Sequence, residues 1–117
     1  MSRICLVVSL LAMAALATLP SASPGLAQEP EFSETFMSDE DNIRLGQELW
    51  RQQCVKCHGA SSYPGKGPKL NPARMPPDEI YLKMTYGFGR MPAWEDVFSD
   101  EERMAITAYM KSNRYSP

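Results

Sequence analysis

Two cysteines and a histidine fall within five residues, Cys54-Val55-Lys56-Cys57-His58, and this run constrains the chain more than anything else in it. Two thiols one helical turn apart can add to the two vinyl groups of a single porphyrin, and the adjacent imidazole then binds the iron axially. The C-x-x-C-H spacing is accordingly read as the attachment site of one c-type haem. Other uses of these residues fit less well. Structural zinc takes four nitrogen or sulfur ligands, and Cys54, Cys57 and His58 supply three. A redox dithiol belongs in a βαβ setting, which the sequence pattern lacks. A disulfide between the two cysteines would close only a tiny loop. His58 is the single histidine of the chain, so bis-histidine ligation within one subunit and a second haem of this type are both excluded.

Residues 1–27 read as a signal peptide. Arg3 is a short positive n-region, Ile4 to Ala17 is almost uninterruptedly apolar, and Gly25-Leu26-Ala27 before Gln28 fits the small-x-small cleavage rule. The apolar run is shorter than the ~20 residues of a spanning helix. Cleavage rather than a lasting membrane anchor is expected, with a mature chain starting at Gln28 in the periplasm. Cys5 leaves with the leader. The remaining 90 residues suffice for one small domain with a marginal core, and a covalently held porphyrin supplies an apolar body to fold around. The whole chain carries 12 Lys+Arg against 14 Asp+Glu, and losing Arg3 makes it one unit more acidic than its net −2. Nothing here resembles a nucleic-acid-binding footprint. An acidic carrier favours partners with a basic docking patch.

Residues 28–37 are polar and poorly patterned and read as a flexible arm, leaving 38–117 as the folded domain. Ser38 is the expected N-cap of a first helix, with Asp39, Glu40 and Asp41 on its first turn. Ile43, Gly46, Leu49 and Trp50 recur at helical spacing, and the pattern runs into Cys54. Gly46 inside that helix costs about 1 kcal/mol relative to alanine, which points to close approach of another helix. Ala60 to Pro77 is a loop punctuated by glycine and proline. Pro77 opens a second helix with Ile80, Met84 and, at the margin, Leu82 as its apolar side, ending at Gly87. Phe88 to Phe98 is a further loop. Ser99 with Glu102 forms a capping box for a last helix that buries Ala105, Ile106, Tyr109 and Met110 and ends near Lys111 and Arg114. The expected architecture is all-α, about three main helices with no strands.

These landmarks arrive in a recognisable order. Gly46-x-x-x-Trp50, Cys54-x-x-Cys57-His58-Gly59, Gly67-Pro68-Lys69-Leu70, Met91-Pro92-Ala93-Trp94 and, more weakly, Ala108-Tyr109 together resemble the small bacterial monohaem class I cytochromes c over nearly all of 38–114. The resemblance implies a cytochrome c-like fold wrapped around one haem c. It implies His58 as proximal iron ligand, the Pro68 carbonyl as acceptor for its other ring nitrogen, Leu70 packed on the porphyrin and Met91 as sixth ligand. It also places Trp50 and Tyr109 near a crossing of the first and last helices. Arg74-Met75-Pro76 nearly copies Arg90-Met91-Pro92, so Met75 is a competitor. Met91 is preferred because it follows the second helix and carries the family's Pro and aromatic. Met84 reads as core, and an open or otherwise ligated iron is the remaining alternative.

The function so implied is single-electron transfer between redox partners, such as a periplasmic dehydrogenase, oxidase or reductase, by an electron-transfer protein rather than an enzyme. A tightly bound cytochrome subunit of a dehydrogenase is the alternative, and an open-site haem enzyme or gas sensor the third. Lys56, Lys66, Lys69 and Arg90 lie in segments near the haem and are candidates for a docking rim. Tyr63, Tyr81, Tyr86 and Phe88 are expected to pack rather than relay electrons.

Overall fold

A computed structural model describes residues 30–60 and 65–115; the leader, its cleavage site and Tyr63 lie outside them. The elements in chain order are α1 (Glu34–Ser38), α2 (Glu40–Leu49), a wide turn (Trp50–Cys54), α3 (Val55–His58), a 3₁₀ turn (Pro72–Arg74), α4 (Pro77–Tyr86) and α5 (Asp100–Lys111). Among the described residues there is no strand, only a lone bridge between Phe88 and Met91. The fold is all-α, as expected.

Three local signals start and stop the helices. Asp39 caps α2 by accepting from the Asp41 and Asn42 amides. The expected cap, Ser38, instead closes α1, so the first helix opens one residue later. The Ser38 hydroxyl is engaged in donating back to the Glu34 carbonyl at 2.7 Å, which leaves the Asp39 carboxylate to accept the two orphan amides. The Ser99–Glu102 capping box forms in both directions, and α4 ends at Gly87 with φ +78°. The expected arm also needs correction over its last residues. Ser33 caps α1, Phe36 and Met37 pack against the core, and the Phe32 ring meets Tyr81 edge-on at 5.7 Å. Scattered aromatics without helical period hid this short segment from pattern reading.

The core forms where α2 lies across α5. A Cβ placed on Gly46 would sit 1.9 Å from the Ala105 carbonyl oxygen and 2.9 Å from the Ile106 nitrogen. The two backbones therefore touch, and no side chain fits between them. Above the crossing, Trp50, Tyr109 and Tyr115 interlock, with Trp50 and Tyr115 at 5.0 Å and 88° and Tyr109 and Tyr115 at 5.3 Å and 80°. Such edge-to-face pairs add about 0.5–1.5 kcal/mol each beyond area burial. Burial raises the Tyr109 hydroxyl above its ordinary value, against smaller opposing effects of Gln47 and Arg51. Ile43, Leu49, Ile106 and Ala108 complete the apolar interior.

Gly46→Val tests the crossing. Backbone on the facing helix cannot yield as a side chain would, so the variant should lose roughly 3 kcal/mol or more of stability, read as a lower denaturant midpoint with far-UV helicity reduced.

Candidate functional site

The α2 rod does not run straight into the cysteines. The Val55 amide bonds back five residues to the Trp50 carbonyl, so one extra residue is accommodated between α2 and α3. Trp50 is thereby held with its indole Nε1 donating to the Ala60 carbonyl at 3.0 Å and its ring 5.8 Å from the His58 imidazole. Cys54 is buried and Cys57 exposed, and neither is in a disulfide.

The chain after the motif folds back onto it. Gly67 donates to the Cys57 carbonyl, and a Cβ on Gly67 would lie 2.9 Å from both Cε1 and Nδ1 of His58. Glycine here lets the backbone lie flat against the imidazole edge. The buried Nδ1 faces this segment without reaching good hydrogen-bond geometry. Burial lowers the His58 pKa, and the Pro68 carbonyl opposes that by favouring a proton on the ring. A proton on Nδ1 facing a carbonyl leaves Nε2 its lone pair, the form a metal ligand needs. Burial, with a smaller contribution from Cys57, pushes the Cys54 thiol up to about 12, so before haem is attached it is an uncharged thiol at neutral pH.

One narrow apolar cavity of about 60 Å³ gathers the expected residues. Cys54, His58, Leu70 and Met91 line it together with Trp50, Met75, Ile80, Lys83, Met84 and Met110. Of the six residues singled out from sequence, Cys57 and Pro68 are not in the wall; they sit beside it, through the α3 backbone and the His58 edge. Both competing methionines reach the cavity. The Met91 backbone exchanges hydrogen bonds with Phe88 (2.9 and 3.1 Å). The Met75 carbonyl accepts from Lys111 Nζ at 2.9 Å, as does that of Pro72. Lys111 thus clamps the 72–75 turn to the end of α5, a role its reading as a dipole partner missed. Lys83, the one charged residue of the lining, pairs with Glu79 at 2.6 Å and covers the Phe88 ring at 4.8 Å; its i,i+4 spacing to Glu79 reads from sequence as an ordinary surface pair. Two expectations fail nearby. Tyr86 and Phe88 are 68 % and 67 % exposed and Leu82 is 46 % exposed, because α4 and the turn after it present that side outward.

The donor set suits a covalent haem: two thiols outside any disulfide, a half-buried imidazole with its Nδ1 shielded and its pKa lowered by burial, and apolar walls. No cluster of three or more His, Cys, Asp or Glu able to hold a metal ion occurs among the described residues. A family model described as cytochrome c oxidase, cbb3-type, subunit III matches residues 41–110.

The chain belongs to this family of cytochrome c domains.

It is a c-type cytochrome with one covalently bound haem c. It is 35% identical over 86 residues to a cytochrome bc1 complex cytochrome c subunit of Corynebacterium diphtheriae, covering 68% of this chain and 30% of that protein. It is 28% identical over 123 residues to the protein of the same name from Mycobacterium leprae, covering 96% and 39%. The cytochrome thus spans well under half the length of both relatives. The crystal structure of the c-type cytochrome SorU from Sinorhizobium meliloti superposes with a TM-score of 0.52 at 30% identity, over 62% of this chain and 91% of that one.

Replacing both Cys54 and Cys57 by serine should abolish haem that survives denaturation, checked by haem staining of a denaturing gel. Gly67→Ala should shift the visible spectrum, because its methyl group displaces the His58 ring.

Proposed function

We infer that this cytochrome is an exported one-electron carrier in which His58 and Met91 would hold the haem iron. When bound, the haem supplies a couple that changes charge by one electron without forming or breaking bonds to substrate. The chain's own part is to hold ligands and exclude water. Burial biases His58 toward its neutral form, and Gly67 and Pro68 steer the ring from behind. Leu70, Ile80 and Met84 give the cavity walls that keep solvent out.

The observation that carries the choice of Met91 is how the two loop methionines are anchored. Met75 belongs to the stretch that leaves Gly67–Leu70, on the His58 side of the chain, and Lys111 pins its carbonyl to α5. Met91 comes after α4 and sits in a tight turn closed by its two bonds to Phe88. Met84 and Met110 are buried on helices and serve the core. A thioether ligand raises the haem potential relative to stronger donors. Met91→Ala should therefore lower the reduction potential and change the ferric spectrum, whereas Met75→Ala should leave both near the parent values. An unchanged Met91→Ala spectrum would sink methionine ligation.

Charge is sorted along the chain. Residues 51–77 carry Arg51, Lys56, Lys66, Lys69 and Arg74 and no acidic residue, and 80–94 add Lys83 and Arg90, again with none. All but Lys83 are exposed. These segments supply most of the cavity wall, so the stretches that line it are net basic on an acidic protein, with Lys83 offset by Glu79 and with Glu95 and Asp96 just beyond them. This distribution favours redox partners with an acidic docking patch rather than the basic one suggested by net charge. Lys56→Glu and Lys69→Glu should each slow oxidation by hexacyanoferrate(III) severalfold at low ionic strength, with the difference vanishing in high salt.

Export to the periplasm rests on the leader, and N-terminal sequencing of the haem-loaded protein should return Gln28. A second reading, a cytochrome held in a complex, draws on the exposed Leu82, Tyr86 and Phe88 and on the two relatives named as subunits of a bc1 complex. Co-migration of haem absorbance with a larger assembly on gel filtration separates the two.

A further inference from the structure

A buried arginine outside the haem motif holds the root of the loop that carries Met91. Arg103, on α5, is 4 % exposed. Its Nη1 donates to the carbonyls of Phe98 at 2.5 Å and Glu95 at 3.2 Å. Its Nη2 donates to the Tyr81 hydroxyl at 3.2 Å and pairs with the Asp100 carboxylate. Tyr81 in turn donates to Asp100 at 3.0 Å, and the guanidinium lies 5.3 Å from the Tyr81 ring centroid. One planar group therefore ties α4, α5 and the chain between them.

That chain has few other restraints. From Gly87 to Phe98 it makes the Phe88–Met91 pair, one bond from the Trp94 amide to the Met84 carbonyl, and a turn in which Val97 and Phe98 donate back to Trp94. Trp94 stacks on Phe98 at 5.6 Å. Met91 thus sits between two fixed points: the end of α4 at Gly87 upstream, and downstream the Trp94 amide bonded to the Met84 carbonyl together with the Glu95 and Phe98 carbonyls gripped by Arg103. A buried guanidinium is costly to desolvate and does not earn its place as packing alone, since an apolar residue of similar volume is often as stable. Its fork geometry instead fixes carbonyl positions that a lysine cannot hold together.

We propose that Arg103 is a positioning residue for the distal side of the haem: by clamping the Glu95 and Phe98 carbonyls against Tyr81 and Asp100, it fixes the reach of the Met91 thioether to iron. This rests on His58/Met91 ligation. Loosening the clamp lets Met91 withdraw, and the reduced iron, which a thioether favours, loses more than the oxidised iron.

The test compares haem-loaded R103M, R103K, M91A and I106V. The readouts are the far-red sulfur-to-iron charge-transfer band of the ferric protein and the reduction potential, alongside the thermal midpoint. R103M should lose at least half the band and shift to lower potential, with R103K intermediate. I106V, a truncation in the same helix outside the cavity wall, should melt lower with band and potential intact. If R103M melts lower but keeps the parent band and potential, Arg103 is merely structural and the proposal fails. If M91A keeps the band, the ligation reading itself falls and takes this inference with it. If M91A loses the band while R103M keeps it, only the inference falls. Should R103M not mature with haem, R103K and Y81F carry the same two readouts.

Discussion

The backbone contact between Gly46 and Ala105 is the constraint on which the rest of the molecule depends. It sets the closest approach of α2 and α5, and so the height at which Trp50 leaves α2 to meet Tyr109 and Tyr115. Trp50 then fixes Ala60 through its indole and lies beside His58. A helix pair even one methyl group further apart would lift the tryptophan away from both. The haem motif is short and α3 spans only Val55–His58, so its orientation is inherited from this crossing and not generated locally.

Much of this was legible in the sequence because each signal acts over a few residues. Cap chemistry at Ser99–Glu102, the stop at Gly87 and the unusual cost of a mid-helix glycine all translate directly into structure. Cys54, His58, Leu70 and Met91 meet in one cavity as the order of motifs implied. What stayed hidden depends on partners far along the chain. Arg103 reads as one charge on an amphipathic helix, because its receivers are two loop carbonyls and a tyrosine 22 residues away. Lys111 reads as a favourable charge near a helix end, because carbonyls 36 and 39 residues earlier have no sequence signature. Phe32, Phe36 and Met37 lacked the period that would have marked them as packed.

Net charge was the least informative number. Two residues separate the acidic and basic totals, yet most acids crowd the first helical segments and the caps of α4 and α5, while residues 51–77 carry none and the Met91 loop carries only Glu95 and Asp96 at its far end. The reason is partly local physics: helix N-termini favour carboxylates, so a chain with several short helices draws its acids to those ends. The stretch from Arg51 to Pro77 is left to the cations.

The wide turn at Trp50–Cys54 separates two angular requirements that a regular helix would lock together. An α-helix advances about 100° per residue, so one extra residue in the turn rotates everything after it by about that much relative to α2. The stripe that packs on α5 and the stripe that presents the thiols and imidazole can therefore each take the azimuth it needs. The turn works as a fixed gear between core and cofactor. A lineage could retune one stripe without disturbing the other only while that extra residue is kept.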